Sequence, residues 1–249
     1  MISKNIEVFK YNEIDSTNNE AQRLIEKKDD FPFWVVADTQ TSGRGRKNRF
    51  WSSLKGNFMG TLVLKITIEK QFIPQLSFIT SLAIKETVDL YKKSKGFKVM
   101  VKWPNDIIIN DRKCAGILIE NLKGKGKDFE FLAIGIGVNL ILHPKNTAFK
   151  STNLLNELGI KIKRDDFLIK LSENLINKMN FWEKGKNFPM ILSSWLESAY
   201  KLNEVISMTL PDGKIIEGNF LGLNDEGGLI LSHENKETVF YTGEIYENL

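Results

Sequence analysis

Histidine and cysteine are nearly absent. His143 and His233 are the only histidines in 249 residues, and Cys114 is the only cysteine. A lone thiol closes no internal disulfide, so a reduced, cytoplasmic setting suits the chain. Two histidines far apart in sequence argue against a histidine-based zinc site and leave little material for Ser-His-Asp or Cys-His catalysis. Charge of one sign is also lacking. Lys+Arg 35 against Asp+Glu 31 leaves +4, too weak a bias to call for nucleic acid. Long apolar runs are missing too. The longest, 131–142, has 12 residues and contains Asn139 and two glycines, whereas a spanning helix needs ~20 apolar residues. The opening MISKNIEVFKYNEIDSTNN carries charges throughout and has no apolar centre, so no signal peptide is expected. What remains, 42% hydrophobic and 27% charged residues, is an ordinary globular composition. The length suits one large domain, or a medium one and a small one.

The periodicities give an outline. IEVFKY alternates and reads as a strand. Thr17 and Glu20 have the spacing of a capping box, with Ala21, Leu24 and Ile25 as an apolar stripe behind them. A helix is expected from Thr17, its N-terminus favouring negative charge; on the residues alone, an ordinary capped helix is the better explanation of the pattern. Strands are expected at 33–37, 58–68, 97–102, 107–110, 114–120 and 129–138, and a helix after Pro74. Lys123–Lys127, KGKGK, reads as a solvated hairpin because it lacks the spacing of a P-loop. Leu168, Leu171, Leu175, Met179 and Trp182 step as a helix behind Asp165 or Asp166, and Phe188, Ile191, Leu192, Trp195 and Ala199 as another with Pro189 in its first turn. After Tyr200 only short strands and turns follow, as in a small β-barrel whose core is marginal alone. The expected division is 1–200 and 201–249. Consecutive strands joined by tight turns place the chain in the α+β class, a largely antiparallel sheet with helices to one side.

Four segments carry candidate chemistry. Gly43–Trp51, GRGRKNRFW, sets Arg44, Arg46, Lys47 and Arg49 among two glycines. Arginine suits bidentate contact with phosphate or carboxylate, and glycine lets backbone approach a ligand. Asn48 stands where a dinucleotide fingerprint needs its third glycine, so that reading fails. Lys102–Asp106, KWPND, holds a rigid Trp-Pro turn between charges. Lys113–Glu120, KCAGILIE, opens with a lysine followed by small residues; Cys114 has no histidine nearby to activate it. Gly135–Leu140, GIGVNL, puts two glycines in an apolar strand, suggesting backbone contact with something flat. Cations and glycines lie in separate loops, and no nucleophile–base pair or metal cage is evident. That combination suits a reaction in which the protein positions two reactants and neutralises phosphate.

GRGRKNRFW, KWPNDI, RKCAGILIE and GIGVNL occur in this order behind DSTNNEA. Together they resemble the biotin protein ligases (biotin–[acetyl-CoA-carboxylase] ligases) from about Ile6 to the C-terminus. Only a short segment precedes DSTN, so the chain resembles the short form without an N-terminal DNA-binding module. The resemblance implies a catalytic domain like that of class II aminoacyl-tRNA synthetases and biotin/lipoate ligases, followed by an SH3-like barrel. It implies an ATP-dependent ligase. Biotin and ATP, with Mg2+, would give biotinyl-5′-AMP and pyrophosphate. A lysine of the biotin carboxyl carrier protein of acetyl-CoA carboxylase, or of a similar carboxylase, would then take the biotin. A lipoate-type ligase is the alternative within enzymes. A regulator that holds the adenylate and reads DNA is disfavoured without a helix-turn-helix. No DNA or membrane partner is expected, and a homodimer is left open.

Carried onto this sequence, the resemblance implies that Ser16, Thr17 and Asn18 hold the biotin rings, and that Gln40, Gly43, Arg44, Gly45 and Arg46 belong to the loop over biotin and adenylate. Arg44 would contact the carboxylate or α-phosphate. Lys113 would stabilise the reacting centre and Gly116 would line the biotin pocket. Asn105 and Asn139 would face the nucleotide, with Arg46, Arg49 and Trp51 nearby. Asp106 would orient or deprotonate the carrier lysine. The 41–51 loop is expected to be mobile when empty, because its cations would lack counter-charge.

Overall fold

The protein is described here from a computed structural model covering residues 6–92, 97–124, 130–145, 147, 149–234 and 236–246. Seven strands form one sheet: β1 (Glu7–Ile14), β2 (Phe33–Gln40), β3 (Phe58–Ile66), β4 (Val99–Lys102), β5 (Asp106–Ile109), β6 (Arg112–Leu122) and β7 (Glu130–Val138). Their order is β1-β2-β3-β7-β6-β5-β4. Only β1 and β2 run parallel; every other pairing is antiparallel.

Helices α2 (Gln75–Asp89) and α4 (Arg164–Trp182) cover one face, and α5 (Phe188–Leu196) packs against α2. Their apolar stripes meet in one core containing Leu76, Ile79, Ala83, Leu171, Leu175 and Ile191, each at most 3% exposed. Burying such a side chain contributes about 1.5–3 kcal/mol. Two indoles in that core find partners for their N–H groups: Trp182 Nε1 donates to Gln75 Oε1 at 2.6 Å and Trp195 Nε1 to Ser81 Oγ at 3.1 Å.

The opposite face is covered by α1 (Thr17–Leu24) alone among the helices that pack there. Ala21 and Ile25 close a second small cluster with Phe33, Val35, Val63, Phe131 and Ala133. Beyond this short helix, Gly116 of β6 stands opposite Gly137 of β7, and Leu118 opposite Gly135. Gly116, Gly135 and Gly137 carry no side chains, so this part of the sheet offers a largely bare backbone floor beside Leu118. The indole of Trp51 rests on it: a Cβ on Gly137 would lie 2.5 Å from Trp51 Cε2, and one on Gly116 3.1 Å from Cζ3. The flat object that the two glycines of β7 anticipate is, in part, this indole.

Several local expectations change. Helix α1 begins at Thr17, but Ser16 is the N-cap and makes no side-chain capping bond. Gln40 of β2 takes over, its Oε1 accepting from Thr17 N–H at 2.8 Å, while Glu20 accepts from Tyr11 and Arg23. The capping box therefore does not form. Helix α4 starts at Arg164 behind Lys163, with Asp165 and Asp166 in its first turn. Helix α3 (Leu154–Leu158) was not anticipated, being too short to show a stripe; Asn153 Oδ1 caps it by accepting from Asn156 N–H at 2.8 Å. Most of the KGKGK hairpin, residues 125–127, lies outside the described residues.

The C-terminal strands β8 (Val205–Thr209), β9 (Ile215–Leu223), β10 (Leu229–His233), β11 (Lys236–Phe240) and β12 (Glu244–Tyr246) form an antiparallel sheet in the order β11-β10-β9-β8-β12. Among the described residues no β11–β12 pairing closes it into a barrel. Its inner side chains Ile206, Met208, Phe220, Leu229 and Leu231 belong to the same core as α2, α4 and α5. Trp103 Nε1 donates across the joint to Gly227 O at 3.1 Å. Gly227 has φ +85°, and a Cβ there would lie 2.7 Å from Phe78. Among the described residues no helix is long and apolar enough to cross a membrane.

Two outcomes follow. Gly137→Ala should cost about 1–3 kcal/mol in urea unfolding by overpacking against Trp51, and much less in a Trp51→Ala background. Equal costs in the two backgrounds would show that the indole does not rest on that glycine. Ending the chain after Tyr200 should expose Phe78, Phe188 and Trp103 and lower solubility and melting temperature together; an equally soluble and heat-stable 1–200 fragment would contradict the shared core.

Candidate active site

Over the glycine floor lies a cavity of about 520 Å³. Its walls come from the N-terminus of α1, the end of β2, the 44–52 segment, the β4–β5 turn, β6, β7, the stretch after Asn139, and Glu244 and Ile245 of β12. Ser16, Thr17, Asn18, Gln40, Arg44, Gly45, Arg46, Arg49, Trp51, Asn105, Asp106, Lys113, Gly116 and Asn139 all line it. Gly43 does not. It is buried behind the wall, where a Cβ would lie 2.6 Å from Ser53 Oγ and 2.8 Å from Trp51 O.

One wall is polar and closely bonded. Ser16, Thr17 and Asn18 are all under 5% exposed. Gln40 Oε1 accepts from Thr17 N–H and Oγ1, and Gln40 Nε2 donates to Ser53 Oγ at 2.9 Å. Thr61, fully buried on β3, has its hydroxyl 2.8 Å from Thr17 Oγ1 and 2.6 Å from Asn18 Oδ1. Arg44 reaches this wall and makes four hydrogen bonds, to Glu120, Asn19 and Ser16.

The facing wall carries the cations. Lys113 Nζ lies 2.7 Å from Asp106 Oδ1 and 5.7 Å from the centre of a Trp51 ring. A regular strand would turn residues 113 and 116 to opposite faces. Cys114 is an extra residue opposite the Ile107–Ile108 step, and this bulge lets Lys113 and Gly116 share the cavity. Cys114 itself points into the core, where burial pushes its thiol pKa up and away from reactivity. Arg46 Nη1 donates to Asn105 Oδ1 at 3.4 Å. Burial lowers the Arg46 pKa, with Glu244 and Asp106 acting against that shift. Asn105 Nδ2 donates to Ile117 O at 2.7 Å and Asn139 Nδ2 to Thr152 O at 3.0 Å, so both amides also brace the wall.

Sequence reasoning assigned no role to four residues that shape this site. Lys102 is 5% exposed, with its ammonium 3.6 Å from the centre of the Phe149 ring. Glu120 pairs with Arg44 at 2.8 Å, and Glu244 with Arg49 at 2.6 Å and Lys47 at 3.8 Å. Lys102 and Glu120 sit inside motifs already singled out; Phe149 and Glu244 lie outside them and are brought in only by folding. The two carboxylates alter one expectation: Arg44, Lys47 and Arg49 find counter-charges within the protein itself. Backbone bonds brace the segment as well, from Gly45 N–H to Arg49 O at 2.7 Å and from Trp51 N–H to Gly43 O at 2.9 Å.

Comparison with known proteins gives the family. Residues 11–139 match the Biotin/lipoate A/B protein ligase family, and residues 201–246 match the Biotin protein ligase C terminal domain. The chain is 33% identical over 240 residues to the biotin–[acetyl-CoA-carboxylase] ligase of Paracoccus denitrificans, covering 93% of this chain and 97% of that protein. It is 30% identical to the bifunctional ligase/repressor BirA of Escherichia coli K12, again over 93% of this chain but 71% of that one. Among solved structures it is similar to the Aquifex aeolicus biotin protein ligase in complex with biotin and ATP, at TM-score 0.79 and 26% identity, covering 96% and 97% of the two chains. The Leishmania major enzyme with biotinyl-5-AMP follows at TM-score 0.68 and 27% identity, covering 97% and 99%. With both family regions matched and a third of its residues shared with the Paracoccus relative, the chain belongs to the biotin/lipoate A/B protein ligase family.

Proposed function

We propose that this protein is a biotin protein ligase. It joins biotin to ATP as biotinyl-5′-AMP and then passes the biotin to a lysine of a carboxylase carrier domain. The observation that carries this reading is the two-sided cavity: an uncharged, hydrogen-bonding wall around Ser16, Thr17 and Gln40 faces a cationic wall with Lys113, Lys102 and Arg46. The first suits the polar head of a small organic acid, the second a polyphosphate, and both reactants share one space.

The chemistry follows from charge. A biotin carboxylate oxygen attacks the α-phosphorus, and the bond to the β-phosphate's bridging oxygen breaks, releasing pyrophosphate. Two anions must meet for this, and Lys113 supplies fixed positive charge where they do. Next, the carrier lysine's amine attacks the acyl carbon, the bond to AMP breaks, and the amine gives up a proton. Asp106, ion-paired with Lys113, is the carboxylate placed to accept or orient it. Ser16, Thr17, Asn18, Gln40 and Gly116 serve biotin; Arg46, Arg49, Trp51, Asn105 and Asn139 serve the nucleotide; and Gly45 and Arg46 cover the adenylate. Magnesium comes with ATP's phosphates in this scheme. The acceptor is the carrier protein of acetyl-CoA carboxylase, the enzyme that appears in the name of the Paracoccus relative. The division at residue 200, an SH3-like C-terminal unit and a cytoplasmic setting complete the reading.

The direct test supplies the protein with biotin, ATP, magnesium and a carrier domain and looks for covalent biotin on one lysine by mass spectrometry. Lipoate in place of biotin should leave the carrier unmodified; lipoylation without biotinylation would reassign the substrate. Lys113→Ala should fold normally yet lose about 10²–10³ in adenylation rate, the usual cost of removing one preorganised charge at such a centre. Normal pyrophosphate exchange by folded Lys113→Ala would remove this lysine from the chemistry.

A further inference from the structure

Glu120 has no place in the reaction as described, yet it is the point where three separate segments of the site converge. It follows Gly116 and Leu118 by alternation on β6, so it faces α1 rather than the helical core. Its Oε2 accepts from Asn18 Nδ2 at 2.7 Å and from Arg44 Nη2 at 2.8 Å, and its Oε1 accepts from Arg44 Nε at 3.3 Å. We infer that Glu120 is a positioning residue for the biotin-side wall, and that Arg44 acts with it as a strap instead of touching the reacting anions. The inference rests on the ligase reading.

The hydrogen-bond inventory supports both halves. A carboxylate only accepts, so Glu120 must face the NH2 of Asn18, which fixes the amide's orientation. Thr61 lies against the other end of that amide at 2.6 Å, and the bare Gly135 beneath leaves no space for a Cβ, which would fall 2.6 Å from Asn18 Oδ1. Arg44 has five N–H donors. Nε and Nη2 grip Glu120 as a fork, and Nη1 donates to Asn19 Oδ1 at 2.8 Å and Ser16 Oγ at 3.4 Å. The guanidinium thereby ties the 44–49 segment to the N-terminus of α1 and to β6. To bind phosphate it would have to leave a paired carboxylate. Arg46 makes a single long bond, to Asn105, and is much the better placed to turn to an arriving anion. The strap touches Ser16, Asn18 and Asn19, all on the α1 wall, and makes no hydrogen bond to Asn105, Asp106 or Lys113 across the cavity.

The test is ATP–pyrophosphate exchange by Glu120→Gln, Glu120→Ala, Arg44→Ala and the double alanine variant, with melting temperatures alongside. Glu120→Ala and Arg44→Ala should each raise the KM for biotin about 10- to 100-fold, the scale set by misplacing a binding group by about 1 Å. The KM for ATP and kcat at saturating biotin should stay within about twofold. The double variant should be no worse than either single one, because the pair acts as a unit. Glu120→Gln, which keeps the shape and an acceptor, should fall between wild type and Glu120→Ala and keeps the test open if alanine unfolds the chain. A loss of 10² or more in kcat for Arg44→Ala with Glu120 variants unaffected would put Arg44 at the reacting atoms and overturn the inference alone. No biotin-dependent exchange by the unaltered protein would overturn the ligase reading and the inference with it.

Discussion

Everything at this site depends on one stretch of sheet face where three glycines carry no side chains. Gly116, Gly135 and Gly137 put bare backbone where the seven-stranded sheet would otherwise need a second covering helix. Trp51 and Asn18 descend onto that backbone, each filling space that a Cβ would occupy. Trp51 in turn anchors the arginine-rich segment above the floor, and Asn18 anchors the start of α1. The hollow between them is the cavity. The large core on the other face makes this possible: α2, α4 and α5 bury enough apolar surface there that the near face can forgo its own.

Charge is arranged to match. The cationic segment is held by Glu120 on one side and by Glu244 on the other, while Lys113 is held by Asp106. Arg44, Arg49 and Lys113 are therefore preorganised by carboxylate partners before any substrate arrives, which lowers the cost of ordering them later. Glu244 belongs to the C-terminal sheet, so that sheet contributes a wall of the site as well as part of the core. Its separation from Arg49 in sequence makes the 44–49 segment a bridge between the two sheets.

Much of this was legible in the sequence. The strands at 33–37, 58–68 and 129–138 and the helices after Pro74 and Asp165 declare themselves by period, because one face of each meets a continuous core. The motifs declare themselves by composition, since few other demands put four cations among two glycines. What stayed hidden is long-range. Glu244 is one acid among many until β12 brings it to Arg49. Glu120 lies inside a recognised segment, but its role depends on α1 standing across from it. The expected capping box failed for the same reason, because Gln40 from β2 outcompeted the local partner. Helix α3 was missed because five residues are too few for a period to show. Where a barrel was expected after Tyr200, the described residues form five antiparallel strands in an open sheet; sequence spacing alone does not say whether such a sheet closes.

The central claim is that this one cavity brings a small carboxylic acid and a nucleotide together. The most direct measurement is ATP–pyrophosphate exchange by the unaltered protein, with and without biotin and with lipoate in its place. Exchange that requires biotin, and that lipoate does not support, is the predicted result. Exchange independent of biotin, or supported only by lipoate, would contradict the account.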